Sequence, residues 1–242
     1  MAPGFLAVLS EPGNQVSLNE FHDWYDNEHI PLRLNHLPSF LSGARYQSIL
    51  VDDDDDDEIQ KKKPSSWIAV YEIDDTKTFK DPSYTVLREK RSKREEDLIG
   101  RLEVLDRRTC EVVKEVDANC GASGTTRTTT GLRVGNPSRW VITHGIGINN
   151  NTTIRRPKMD DEEEFEFREV LKWLVDVQIK LGNSTGSAAR GWVKTRVLKV
   201  LESAKTGLNV QVGEEEEEEQ NVQSYFVFHG KMIHLFYFCE SR

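Results

Sequence analysis

Between His22 and His29 the run HDWYDNEH sets two histidines and three carboxylates around a tryptophan and a tyrosine, and Pro31 comes two residues later. Imidazole populates both protonation states near neutrality, its unperturbed pKa being about 6.5. A histidine held beside a carboxylate is therefore suited to moving protons. At about 100° per residue Leu18, Phe21, Trp24, Tyr25 and Glu28 share one helical stripe. His22, Asp26 and His29 fall on its border, within about 60° of one another. Three readings of this rim stay open. The histidines hydrogen-bond at a helix edge, where His29 also suits the negative C-terminal end. Alternatively, His29 donates or removes a proton in a pocket, with Tyr25 or Asp26 orienting it or the ligand. In the third, His22, Asp26 and His29 bind a metal, although one helix rarely supplies three ligands and no outside ligand announces itself.

The elements that must position these residues are legible nearby. Residues 4–10, GFLAVLS, read as a buried strand bounded by Pro3 and the turn EPGN. Ser17 and Glu20 form a capping box that starts a helix at Leu18, and Pro31 is expected to stop it near His29. GARYQSILV alternates Ala44, Tyr46, Ser48 and Leu50 against Arg45, Gln47 and Ile49, a strand with two different faces. Residues 67–73, WIAVYEI, read as a central strand on which Trp67 and Tyr71 share a face, either as core or as the wall of a ligand site. Asp81-Pro82 opens a second helix with Tyr84, Leu87, Arg91, Leu98 and Leu102 on one side. Its charged centre, REKRSKREED, is expected to face solvent. EVLDRRTCEVV completes the order β-α-β-β-α-β, a ferredoxin-like α+β module.

Residues 117–137 are rich in Gly, Ser and Thr without apolar periodicity, and read as a flexible linker. Afterwards the order restarts: RWVITHGIGI as a strand, DDEEEFEFREVLKWLVDVQIKLG as a helix, GWVKTRVLKVLES and QSYFVFHG as two strands. Each half carries an acidic block between its second and third strands, which reads as an internal duplication. The expected domains are a module over 1–116, the linker, and a diverged, C-terminally incomplete second module over 138–242. GIGINN has Asn150 where a dinucleotide fingerprint needs its third glycine, so it reads as a turn. His144, His229 and His234 sit in apolar surroundings and read as satisfied strand histidines.

The net charge of −9 is concentrated in Asp52–Glu58 and Glu214–Glu219; outside those blocks 32 basic residues face 28 acidic ones. Such blocks read as solvated loops. No basic stripe is interleaved with aromatics, which speaks against nucleic acid. The three cysteines, Cys110, Cys120 and Cys239, form no C-x-x-C pair, which fits a reducing, cytoplasmic setting. The N-terminal apolar run is too short for a signal peptide or a membrane span.

EFHDWYDNEHIPLRL followed by LPSFLSGARYQ resembles the EthD-like branch of the dimeric α/β-barrel proteins, in particular fungal members carrying two such modules. The matching features are Glu28-His29-Ile30-Pro31 and then Ala44-Arg45-Tyr46. The likeness covers residues 4–115. It extends over 138–230 only in strand–helix order, since the second half keeps Trp192, Thr195 and Arg196 but no Glu-His-x-Pro. The resemblance implies two ferredoxin-like sheets closing into a barrel, within one chain as a pseudo-dimer or as a homodimer. It implies a small-molecule protein without metal or organic cofactor. The expected activity is that of a lyase, decarboxylating an aromatic or polyketide-like acid, or of a cyclase. His29 would move the proton with Tyr25 and Asp26 beside it, while His22, Trp24, Arg45, Tyr46, Trp67 and Tyr71 contact the substrate. The alternative is a non-catalytic binding or dimerisation module.

Overall fold

The computed structural model describes residues 1–48, 65–117, 140–146, 168, 170, 172, 192–208 and 225–231. The chain enters through β1 (Gly4–Glu11), and a helical stretch, α1 (Leu18–Trp24), a π-helical turn (Tyr25–His29) and α2 (Ile30–His36), leads to β2 (Phe40–Gln47). β3 (Trp67–Ile73), a short 3-10 turn (Thr76–Lys80), α3 (Pro82–Glu89), α4 (Lys93–Arg101) and β4 (Val104–Asp117) come next. The remaining strands are β5 (Trp140–Ile146), β6 (Trp192–Thr206) and β7 (Tyr225–Lys231).

One antiparallel sheet holds the seven strands of the described residues in the order β2-β3-β1-β4-β6-β7-β5. Its first four strands have the ferredoxin-like order expected from the sequence. β6-β7-β5 repeats the sequence of positions taken by β2-β3-β1. β1 lies at the centre of the first half, and its alternate residues serve two cores. Leu6 and Val8 face the helices with Phe21, Trp24, Tyr25, Trp67, Tyr71, Tyr84 and Leu98, while Phe5 and Ala7 face Val70, Cys110, Leu198 and Phe226. Each such large apolar side chain stabilises the fold by about 1.5–3 kcal/mol on burial.

The second core exists because the sheet curls. β3 and β6 are three strand spacings apart, ~14 Å in a flat sheet, yet Glu72 on β3 accepts directly from Arg196 on β6. The long β4–β6 pair carries two register shifts, between Thr109 and Cys110 and between Val112 and Lys114. Bulges of this kind bend a strand and steepen its twist. Arg196 is buried and also donates to Glu115 at 2.8 Å, and Ser42 donates to Glu72 at 2.5 Å.

Two helical expectations are corrected. The first helix does not stop at His29 but runs through Pro31 to His36, because the intervening turn closes from the Ile30 N–H to the Tyr25 carbonyl. That wider turn relieves the clash a proline ring makes with the carbonyl four residues back in an α-helix. The second helix is two, since Ser92 breaks it and caps α4 by accepting from the Glu95 N–H at 3.0 Å. In the second half Arg168, Val170 and Lys172 are helical and Val170 is buried. The acidic blocks, the linker beyond Asp117, residues 147–150, Cys120, His234, Cys239 and the C-terminal residues lie outside the described residues, as do the side chains of His144 and His229.

Candidate functional site

α1 begins where the sequence places it, with Ser17 Oγ accepting from the Glu20 N–H at 3.2 Å. Its apolar face lays Phe21, Trp24 and Tyr25 on β1 and β3. The Phe21 ring lies 4.9 Å from Tyr25 and 5.9 Å from Trp67, and Trp24 lies 4.5 Å from Tyr25. Leu18, assigned to the same stripe, is exposed. The π-helical turn then shifts the phase of the helix beyond Trp24. Instead of sharing a rim, His22 is half-buried, Asp26 is exposed, and His29 is only 6% accessible.

His29 is held by a residue that the sequence reading sent to solvent. Its Nδ1 lies 2.7 Å from Oε1 of Glu95, a side chain on α4 with 3% exposure. In a capping box the glutamate would turn back to its own cap; here Ser92 instead donates to Glu28, and Glu95 is released toward His29. The Arg94–Asp23 and Arg101–Glu20 ion pairs complete the seam between α4 and α1. A carboxylate accepts and does not donate, so Nδ1 carries the proton and Nε2 is the nitrogen left to meet a ligand.

The electrostatics are set by burial. Loss of water drives the His29 pKa down to about 3, the positive charge of Arg33 adds to this, and Glu95 opposes it. Burial alone would raise the Glu95 carboxyl, but the His29 hydrogen bond, with Arg33 and Arg91, brings it below the usual range. The pair is thus a neutral imidazole on an ionised carboxylate at neutral pH. Arg33 Nη1 donates to the His29 carbonyl at 2.9 Å and fixes the turn from below. The Trp24 ring lies 4.4 Å from the imidazole and the Tyr25 ring 5.1 Å.

Around this pair the buried layer holds polar atoms without a hydrogen-bond partner: Ser10 Oγ, His22 Nδ1, Trp24 Nε1, Arg45 Nη1 and the hydroxyls of Tyr25 and Tyr71. Buried polar groups are rarely left so, and six of them share this one helix–sheet layer. Burial raises the pKa of both tyrosines. Ser10 is the polar neighbour that counteracts this at Tyr25, although the two hydroxyls fall short of hydrogen-bond geometry. His22 packs edge-on to Trp67 at 4.8 Å, and burial, then the charge of Arg45, lowers its pKa.

The structure therefore brings together His22, Trp24, Tyr25, His29, Arg45, Trp67 and Tyr71. It separates Tyr46, whose side chain points to the opposite face because neighbours on a strand alternate. There it belongs with Val70 and Leu198, within the electrostatic reach of Arg196 and Glu72. Asp26 is displaced outward and pairs with Arg45 at 3.2 Å rather than with His29. The three residues of the metal reading are not gathered, because Asp26 is exposed and turned to Arg45 while His29 is buried against Glu95. Among the described residues no three His, Cys, Asp or Glu side chains are grouped as metal ligands. Nor, among them, is any helix long and apolar enough to cross a membrane.

Glu95, Arg33 and Ser10 were not singled out from the sequence. Ser92-x-x-Glu95 is a helix-start signature that places Glu95 in a first turn, and Ser10 continues the Leu6, Val8 alternation; nothing in the sequence marks Arg33.

No protein-family model matches the chain, and no curated protein does. Among solved structures, one titled "Crystal structure study of anthrone oxidase-like protein" is similar over 96% of this chain and 73% of its own, with a TM-score of 0.51 and 8% sequence identity. At that identity the likeness concerns the fold alone: a mixed α+β, barrel-type architecture.

Proposed function

We propose that the chain is a small-molecule protein of the EthD-like, dimeric α/β-barrel type, in which residues 138–242 form a diverged second module. Its reaction, on this reading, is a cofactor-independent proton transfer on an aromatic or polyketide-like acid, leading to decarboxylation or cyclisation. The observation that carries it is the buried His29–Glu95 pair amid unpartnered polar side chains. The neutral Nε2 takes a proton from a hydroxyl or carboxyl group of the substrate. It then returns that proton to the carbon whose bond to carboxyl breaks as carbon dioxide leaves. Glu95 holds the ring and stabilises the imidazolium formed in between. Trp24 and Trp67 supply apolar walls, and Tyr25, Tyr71 and Trp24 Nε1 offer hydrogen bonds to substrate oxygens. The repeated strand order supports the two-module reading, and the fold shared with the anthrone oxidase-like structure is in keeping with a barrel-type architecture.

The test is native mass spectrometry of the protein from its own cells, to identify a retained ligand. Turnover of the corresponding acid is then compared between wild type and His29→Asn. Loss of turnover with retained folding is the expected result; unchanged turnover removes His29 from the chemistry. A second reading, a catalytically silent binding module, is favoured by the packing of the Trp24 ring against the imidazole at 4.4 Å. It predicts a retained ligand that the protein never converts.

A further inference from the structure

Arg45 and Asp26 stand in unequal surroundings. The guanidinium carbon of Arg45 lies 4.9 Å from the centre of the Tyr25 ring, 5.6 Å from that of Trp67 and 5.7 Å from that of Phe21. The Arg45 side chain is 12% exposed, whereas Asp26, whose Oδ1 lies 3.2 Å from Arg45 Nη2, is 54% exposed. Asp26 engages one edge of the guanidinium only. Arg45 Nη1 is buried and has no hydrogen-bond partner.

A fixed positive charge inside three aromatic faces, half-served by a carboxylate that water solvates well, is a receptor with a weak resident. An ion pair whose acid stays largely in water contributes only ~0–1 kcal/mol. A planar carboxylate taking up the unpartnered Nη1 together with Nη2 would offer two oxygens to the guanidinium fork, the stronger arrangement. An attached aromatic ring would meet Tyr25 and Trp67.

We propose that Arg45 is the receptor for the carboxylate of an aromatic acid, and that Asp26 is an exchangeable counter-ion which yields its place when that acid binds. The proposal rests on the small-molecule function proposed for the chain and narrows its substrate class to anionic, planar acids. It moves Asp26 from the catalytic role expected from the sequence to one in binding. The other titratable groups that feel the Arg45 charge are His22, Tyr25 and Tyr71; burial keeps all three neutral, so none competes for the anion.

The test is calorimetric titration of the full chain with 2-naphthoate and with its uncharged counterpart, 2-naphthamide. Wild type is expected to prefer the acid by roughly tenfold or more, the worth of a charge-assisted bidentate pair. Asp26→Asn should tighten the acid by roughly two- to fivefold, as expected for removal of an exposed ion pair, and leave the amide unchanged. Arg45→Gln should erase the preference. Should Arg45→Gln fail to fold, Arg45→Lys keeps the charge, loses the fork and should retain a weaker preference.

Equal affinity for the two probes overturns the proposal, as does weakened or unaltered acid binding in Asp26→Asn, or no binding of either probe. His29→Asn separates this idea from the one beneath it. If it leaves acid binding intact and the wild type turns over no acid, or turns it over no faster than His29→Asn does, proton transfer fails while the Arg45 receptor stands.

Discussion

His29 and Glu95 meet at 2.7 Å although they stand 66 positions apart in the sequence, with two helices and two strands between them. Neither side chain would be tolerated alone in this layer as a charge, so each accounts for the burial of the other. Glu95→Gln keeps the shape but replaces the ionised acceptor. Turnover should fall by ~10²-fold or more, with only a modest loss of thermal stability. Glu95→Ala should lower stability by about 1.5–3 kcal/mol, the worth of a hydrogen bond to a charged group. Steady-state kinetics and denaturant unfolding separate the two effects.

Acid should unfold the protein through the same pair. The His29 pKa falls from its ordinary 6.5 to about 3 on folding, so below pH 6.5 the unfolded chain binds a proton that the folded chain refuses. The stability that His29 contributes is therefore fully present above pH 6.5 and is lost progressively down to about pH 3, at up to ~1.4 kcal/mol per pH unit. Glu95, whose pKa is also lowered, adds a loss in the same direction further down. His29→Asn should flatten the slope of unfolding free energy between pH 6.5 and 5; an unchanged slope would show that the imidazole is not buried neutral.

Gly43 tests the wall of the site without touching its charges. A Cβ there would sit 2.8 Å from Cδ1 of Tyr71, so the ring must move. Gly43→Ala should cost about 1–3 kcal/mol, as overpacking does, and should weaken ligand binding because Tyr71 shifts. Gly100, on α4, has open space around it. Gly100→Ala should stabilise by ~0.4–1 kcal/mol. Thermal melts of the two variants should thus move in opposite directions.

The curl of the sheet depends on the buried Glu72–Arg196 bond. Arg196→Met leaves two acceptors on Glu72 and Glu115 short of a donor and should cost about 3–5 kcal/mol. Restoring an apolar match with Glu72→Leu in the same chain should recover much of it. Amide exchange should quicken in β6 and β7 of the single variant and return toward wild-type rates in the double.

The first half of the chain could be read from local patterns because its signals are short-range. Ser17 with Glu20, the alternation of β1 and the composition of residues 67–73 each name an element within a few residues. The site was harder to read because its partners are distant. Helical periodicity gathered His22, Asp26 and His29, but it assumed a uniform turn, and Pro31 sits where a uniform turn is strained. Glu95 was hidden for a different reason. Its neighbours Arg94 and Glu96 are exposed, so a charge-dense stretch disguised a single inward-facing carboxylate. Tyr46 was placed with Arg45 on chemistry, although the alternation of that same strand already divides them.

The wide turn at Tyr25–His29 makes the position of the imidazole a matter of counting. Removing one residue, such as Asn27, would let the chain wind as ordinary α-helix and change the phase at which the histidine meets α4, while leaving the histidine and its acceptor both present. A sequence comparison blind to spacing would score such a chain as intact.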